Sequence, residues 1–229
     1  MSLQDRALRT RVWPSVERGV TVLLPVGSVE QHGPHLPLDT DTVIACAVAD
    51  GVAAALGEDV LVAPAVPYGA SGEHQAFPGT SSVGTDVLAR AVVELVRSMT
   101  TWAGRVLVVN GHGGNVAALR AATALLVEEG RLVEWHGCSA GWVDAHAGRT
   151  ETSLMLHLAP ESVRLEHAEA GNIEPIGALI AALTCSGVAA VSANGVLGDP
   201  AGASAEEGRR VLAAMVDDVS SAVLAGADS

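Results

Sequence analysis

Short runs of β-branched residues alternate with longer segments rich in alanine, leucine and valine along this chain of 229 residues. The short runs have the length of buried strands, and the longer segments have the apolar spacing of helices. The predicted strands are residues 20–26, 60–63, 105–109 and 132–135. The predicted helices are residues 40–56, 85–102, 115–129, 151–158 and 205–224. This alternation indicates strand–helix–strand units, and therefore a three-layer α/β/α fold with a mainly parallel sheet.

The bulk composition sets the expected organisation of the chain. Its length and its hydrophobic content of 49% suffice for one large core, so we expect residues 1–229 to form a single domain. Cys46, Cys138 and Cys185 are far apart and form no Cys-x-x-Cys pair, which argues against a disulfide scaffold. The sequence contains neither a signal-type apolar segment nor a stretch of membrane-spanning length, so we expect a cytoplasmic protein.

The charged residues narrow the chemistry that the fold can support. The chain has 26 acidic and 13 basic residues, and every basic residue is arginine because the sequence contains no lysine. The lack of lysine excludes Schiff-base enzymes, Walker-type phosphate loops and kinase-type catalytic lysines. The arginines are scattered from Arg6 to Arg210 and form no basic stripe, so we expect neither nucleic acid nor an acidic membrane as a partner.

Three segments rich in histidine, aspartate and glutamate follow predicted strands, after residues 26, 109 and 135. In open α/β sheets, ligands bind beyond the carboxyl ends of the strands. These three segments are therefore the candidate functional segments. A fourth feature is the loop predicted at residues 64–84, whose length is unusual for a compact domain and typical of functional loops.

The first segment places Glu30, His32 and Asp41 within twelve positions. In extended backbone, Glu30 and His32 project to the same side. A mixed imidazole and carboxylate set suits zinc, iron or manganese better than calcium or magnesium. The alternative is an acidic turn followed by a helix that Asp39 or Thr40 caps.

The second segment is Asn110-Gly-His-Gly-Gly-Asn115, in which glycines flank His112. Glycines allow a ligand or an ion to approach the backbone closely, but they also suit any tight strand–helix turn. A nucleotide-binding turn is a rival interpretation. Its Gly-x-Gly-x-x-Gly spacing is not met, because residue 116 is valine.

The third segment contains His146 and Glu151, with the glutamate predicted in the first turn of a helix. Both are candidate catalytic residues, because a histidine and a carboxylate complete the set of groups that a hydrolase needs. In the alternative interpretation Thr150 caps this helix, and Asp144 pairs with Arg149 at the surface.

The remaining histidines and serines carry weaker signals. His74, in the long loop, is a candidate substrate contact, and His35 is a candidate hydrogen-bond partner behind the first segment. His136, His157 and His167 are interpreted as ordinary fold residues. A serine hydrolase is not supported, because the segment around Ser71 lacks the Gly-x-Ser-x-Gly spacing.

Together the three segments resemble the creatininase family of metal-dependent amidohydrolases. The resemblance covers residues 20–208, and it rests on three motifs that occur in the family's order. These motifs are Gly27-Ser-Val-Glu-Gln-His-Gly-Pro-His-Leu-Pro37 with a downstream Thr40-Asp41, Asn110-Gly-His-Gly-Gly-Asn115, and His146-Ala-Gly-Arg-Thr-Glu-Thr-Ser153.

The resemblance implies two divalent metal ions per chain, of zinc, iron or manganese. Glu30, His32, Asp41 and His112 match the family's ligand positions, with Asp41 in the place of the bridging carboxylate. Glu151 is the candidate for a further ligand.

Creatininase has a glutamate ligand two residues after the histidine of the second motif, but this chain has Gly114 there. Glu151 is therefore the candidate replacement. The resemblance also implies that a metal-activated water attacks an amide carbonyl, and that His146 stabilises the intermediate or protonates the leaving amine. Trp142 lies where the family has an aromatic substrate cover.

Residues 71–80, 144–153 and 194–204 resemble a branch of the family that cleaves a small ribosomal precursor peptide. This implies release of a modified C-terminal Val-Tyr dipeptide. The alternatives are a creatinine or formamide amidohydrolase of the same family, and a non-enzymatic metal- or nucleotide-binding module. The family resemblance also implies a symmetric homo-oligomer.

Overall fold

The computed structural model describes residues 6–139 and 144–225, so Trp142 lies outside the described residues. The strands are β1 (Thr21–Val26), β2 (Val60–Val62), β3 (Arg105–Asn110) and β4 (Val133–Gly137). The α-helices are α1 (Thr40–Leu56), α2 (Thr85–Met99), α3 (Val116–Glu128), α4 (Arg149–Leu158), α5 (Ile176–Ser186) and α6 (Ala205–Ala225). The four strands form one parallel sheet in the order β2–β1–β3–β4.

Helices cover both faces of this sheet and give it two apolar cores. Leu23 of β1 packs with α1, α4 and α6 on one face, whereas its neighbours Val22 and Leu24 pack with α2 and α3 on the other. Successive strand residues point to opposite faces, so a strand covered on both sides must be apolar throughout. Each buried aliphatic side chain contributes about 1.5–3 kcal/mol to folding. The predicted three-layer α/β/α fold is confirmed.

The order of the strands creates a crevice at the carboxyl ends of β1 and β3. From β1 the chain crosses to β2 on one side, and β3 then lies on the other side of β1. Connections that leave the sheet in opposite directions create a crevice at the carboxyl ends of the two central strands, which is where ligands bind in such folds. Here these ends are Val26 and Asn110, directly before the first two candidate segments.

The predicted strands and helices agree with the structure to within a few residues, but the cap of α4 and the existence of α5 differ from the prediction. α4 begins at Arg149 rather than at residue 151, and its N-cap is Gly148 rather than Thr150. The main-chain N–H groups of Arg149 and Thr150 donate to the carboxylate of Asp144. The predicted cap at Thr150 is therefore wrong, because Asp144 satisfies the free donors of the first turn.

The other difference is α5, for which the sequence pattern predicts no element. Its sequence, IGALIAALTCS, is apolar all round, and only Leu179 is buried. A helix without a polar face lacks the periodic signal that identifies surface helices.

Within the described residues, no helix combines the length and the apolar character that a membrane crossing requires.

Candidate metal centre and active site

Two glycines allow the start of α1 to lie directly against the ends of β1 and β3. A Cβ atom at Gly27 would overlap Thr42, and one at Gly111 would overlap the carbonyl oxygen of Asp41. The N–H of Gly111 also donates to the carbonyl of Val26, over 2.9 Å. This close packing brings the first turn of α1, and with it Asp41, between the two candidate segments.

Asp41 is buried between two histidines. Its Oδ1 lies 3.1 Å from His32 Nε2, and its Oδ2 lies 3.3 Å from His112 Nδ1. The hydroxyl of Ser28 donates to Oδ2 over 2.6 Å. A carboxylate whose two oxygens face different histidines has the arrangement of a bridging ligand between two ions.

Glu30 is fully buried beside three histidine rings. Its carboxylate oxygens lie 3.1 Å from His112 Nε2, 3.2 Å from His74 Nε2 and 3.7 Å from His146 Nδ1. Within the described residues, neither oxygen of Glu30 has a hydrogen-bond partner, and His112 Nε2 has none. Buried polar atoms without partners are costly, and a bound cation would satisfy all three atoms.

Glu151 approaches the same cluster from the first turn of α4. Its Oε2 accepts a 2.5 Å hydrogen bond from the N–H of Ala147 and lies 3.9 Å from His32 Nε2. Ala147 has a φ of 53°, a left-handed conformation that is uncommon for a residue with a side chain.

Ligand atoms of His32, His146 and Glu151 lie within 4.8 Å of one another, as do those of Glu30, His32 and Asp41. The donor set therefore fits transition-metal ions.

Burial and opposite charges shift the pKa values of this cluster strongly. Burial raises the pKa of Glu30 and of Glu151 to about 7. For His32 and His112 burial acts downward, but the surrounding carboxylates outweigh it and raise both pKa values to about 10. For Asp41 burial acts upward, yet His32 holds its pKa well below the usual range. Protons on the histidines thus compensate the carboxylates, and divalent cations would replace them on binding.

His146 differs from these histidines because its pKa is lowered rather than raised. Burial, followed by repulsion from His32 and His74, lowers its pKa well below the ordinary value. Burial and His112 likewise lower the pKa of His74 to about 4. A neutral histidine within the cluster can accept a proton during a reaction.

Gln31, which the sequence analysis missed, orients both neutral histidines. Its side-chain NH2 group donates to His74 Nδ1 over 2.8 Å and to the carbonyl oxygen of Gly195 over 3.0 Å, whereas its main-chain carbonyl contacts His146. His146 Nε2 lies 2.8 Å from the main-chain carbonyl of Gln31, a contact that requires it to be the donor. We therefore assign the His146 proton to Nε2. Its Nδ1 then presents a lone pair toward Glu30.

The long loop after β2 contributes two side chains through a short 3₁₀ turn, Gly72–His74. His74 is buried against Glu30 and borders the cleft, so it lies nearer the predicted ligands than a substrate contact alone requires. Glu73, also missed by the sequence analysis, places its Oε1 3.3 Å from His112 Nε2. The only sequence signal for Glu73 was its position beside His74 in this loop.

Two further predictions concern residues around the cluster. His35 Nε2 contacts the hydroxyl of Thr152 at 2.9 Å, so it supports α4 beside Glu151 rather than a candidate ligand directly. The predicted surface pair of Asp144 and Arg149 is wrong. The guanidinium of Arg149 pairs with Glu207 at 2.8 Å, while Asp144 accepts main-chain N–H groups.

A cleft with a volume of about 880 Å³ opens onto the cluster. His74, His112 and His146 line it, together with apolar side chains of α5 that include Ile176 and Ile180. The carboxylates beside His112 would repel a phosphate group, which argues against the nucleotide-binding interpretation of this turn.

This chain is similar in sequence and in fold to known proteins. A family profile described as creatininase, creatinine amidohydrolase, matches residues 10–223. A Mycobacterium tuberculosis protein named mycofactocin precursor peptide peptidase is 55% identical over 206 residues, covering 86% of this chain and 82% of that protein. A protein of the same name from Mycolicibacterium smegmatis is 54% identical over 200 residues, covering 86% and 81%. A structure titled "Creatininase Mn" has a TM-score of 0.79 at 27% identity, covering 95% of this chain and 97% of that one.

The family profile spans all three candidate segments, and the matched structures share the fold that brings them together. The chain therefore belongs to the creatininase family of metal-dependent amidohydrolases, and it is a hydrolase of amide or peptide C–N bonds.

Proposed function

We propose that this enzyme is a peptidase that releases the modified C-terminal Val-Tyr dipeptide from the mycofactocin precursor peptide. The observation that carries the proposal is the 54–55% identity to relatives named mycofactocin precursor peptide peptidase, over most of both chains. The cleft supports it, since the apolar side chains of Ile176, Ile180 and Leu183 border the polar cluster. An apolar lining of this kind suits the apolar side chains at the end of a peptide substrate.

Two divalent ions are proposed, one on each side of Asp41. Glu30, Asp41 and His112 would hold the first, and His32, Asp41 and Glu151 the second. The buried oxygens of Glu30 that lack hydrogen bonds support the first site. The 3.9 Å approach of Glu151 to His32 supports the second. When bound, such ions polarise the scissile carbonyl and lower the pKa of a bound water.

The protein side chains would move the proton. His146 Nδ1 has a free lone pair, because Nε2 donates to the carbonyl of Gln31. We propose that Nδ1 takes a proton as water attacks the amide, and then delivers it to the leaving nitrogen. His74, held by Gln31, and Trp142 are proposed to contact the substrate.

Several finer features belong to the same proposal. The metal is expected to be zinc, iron or manganese, since all three accept this ligand set. The enzyme is expected to be cytoplasmic, to form a symmetric homo-oligomer, and to act without nucleic acid or a membrane as partner.

The direct test incubates the metal-loaded enzyme with the modified precursor peptide and follows the products by mass spectrometry. We expect a small C-terminal product with the mass of the modified Val-Tyr dipeptide. If that product does not form while creatinine or a formamide is hydrolysed, the peptide substrate is wrong and the family assignment stands.

His146→Asn tests the proposed proton transfer. We expect kcat to fall by about 10²–10⁴-fold while the metal content remains that of the unchanged enzyme. The matched control is His157→Asn, because His157 is exposed on α4 and should not affect turnover. Unchanged kcat in His146→Asn would contradict the role assigned to His146.

A further inference from the structure

Gly114 leaves a space beside His112 that the carboxylate of Glu73 fills. A Cβ atom at Gly114 would lie 2.5 Å from Glu73 Oε1 and 2.5 Å from the carbonyl oxygen of Ala70, and it would overlap His112 Nε2. Any side chain at 114 would therefore displace its neighbours. Glycine at position 114 therefore leaves the space in which Glu73 lies beside His112.

The contacts of His112 show what this arrangement offers. His112 Nε2 lies 3.3 Å from Glu73 Oε1 and 3.1 Å from Glu30 Oε2. Within the described residues this buried nitrogen has no hydrogen-bond partner. Two carboxylate groups that converge on one imidazole nitrogen at these distances are arranged as ligands around a shared cation.

We propose that Glu73 is a metal ligand on the His112 side of the centre, together with Glu30 and His112. The inference rests on the metal centre of the proposed function. Glu73 would supply the carboxylate that creatininase has from a glutamate at the position that is Gly114 in this chain. Glu151 lies instead beside His32, so the two glutamates serve opposite sides of Asp41.

The fold holds Glu73 in this position. The N–H of Ala70 donates to the side chain of Asn115, the last residue of the His112 motif, over 2.8 Å. On the other side, a Cβ atom at Gly187 would lie 2.7 Å from the carbonyl oxygen of Glu73, so the end of α5 packs closely on this turn. With 29% of its side chain exposed, Glu73 borders the cleft that a metal ion enters.

Metal binding to Glu73→Gln tests the proposal without any substrate. The metal-stripped protein is titrated with Mn²⁺ or Zn²⁺ alone, and stoichiometry and affinity are measured by elemental analysis and chelator competition. We expect two ions per unchanged chain, and an affinity for one of them that is lower by at least about tenfold in Glu73→Gln. Glu73→Asp, which keeps the charge, should recover part of that loss.

Glu161→Gln is the matched control, because Glu161 is an exposed glutamate that also lies in a 3₁₀ turn. It should bind both ions as the unchanged chain does. The melting temperature of metal-free Glu73→Gln is measured in parallel, and we expect it to be unchanged. Two ions bound with unchanged affinity in Glu73→Gln would overturn the inference, whether or not the fold is destabilised. That result would leave the peptidase proposal standing, whereas failure of the unchanged chain to bind metal would contradict both proposals.

Discussion

Asp41 lies between two histidines, and each of its carboxylate oxygens faces one of them. The side chain is buried and its pKa is held well below the usual range, since the attraction of His32 outweighs the effect of burial. It is therefore an anionic group at the centre of the cluster. No other candidate ligand contacts both His32 and His112 among the ion pairs of the described residues.

We expect Asp41→Asn to bind fewer than two ions per chain and to lose about 100-fold or more of kcat/KM, because an amide cannot supply the bridging negative charge. Elemental analysis and peptide hydrolysis measure the two effects. Asp39→Asn is the control, since Asp39 is exposed and its side chain makes no capping hydrogen bond to α1. Full metal content in Asp41→Asn would remove Asp41 from the proposed centre.

The residues that the sequence analysis missed lie in the same neighbourhood. Gln31 contacts His74 and His146, which are 43 and 115 positions away along the chain. Nothing in a glutamine between Glu30 and His32 indicates those partners. Glu73 is likewise recognised only once Gly114 and His112 are seen beside it.

The elements around the site depend on close backbone contacts. α1 begins directly over the ends of β1 and β3 because Gly27 and Gly111 have no side chains to separate them. Glycine at these positions serves close approach rather than an unusual backbone angle, since neither has a positive φ. The position of Asp41 is thus a property of how one helix packs on two strands.

Gly111→Ala should destabilise the protein by about 1–3 kcal/mol, because its Cβ would overlap the carbonyl of Asp41. It should also weaken metal binding by shifting the start of α1. Gly113→Ala is the matched control on the other side of His112, where a Cβ atom meets nothing within 4 Å. Urea unfolding compares the two variants, and equal free energies of unfolding would contradict the proposed close packing.

At the scale of the whole molecule, the fold gathers four carboxylates and four histidines at one edge of the sheet. These residues are Glu30, Asp41, Glu73, Glu151, His32, His74, His112 and His146. Burying so many ionisable groups opposes folding unless they are paired or bind cations. Bound metal should therefore stabilise the entire fold.

We expect metal removal to lower the melting temperature by about 8–16 °C for each ion removed. An ion at a thousand times its Kd contributes about 4 kcal/mol, and each kcal/mol shifts the melting temperature of a chain of this size by about 2–4 °C. Calorimetry with and without a chelator measures the shift. Asp41→Asn serves as the comparison and should respond much less, and an unchanged melting temperature after complete metal removal from the unchanged chain would contradict this stabilisation.

Sequence patterns were enough to predict the layered α/β fold, its four strands, its α-helices apart from α5, and the three segments that carry most of the histidines and carboxylates of the cluster. These features are local, because periodicity, glycine turns and short motifs are visible in adjacent residues. The single-domain organisation also came from the sequence and stays a prediction.

Which of these side chains come into contact could not be predicted from the sequence, because the three-dimensional packing sets these contacts. This packing placed Asp41 between His32 and His112, Gln31 against His74 and His146, and the loop carrying Glu73 beside Gly114. The same holds for α5, whose uniformly apolar sequence gave no periodic signal. Such contacts join residues far apart in the chain, and the packing of helices and loops at the ends of the strands determines them, rather than any local propensity.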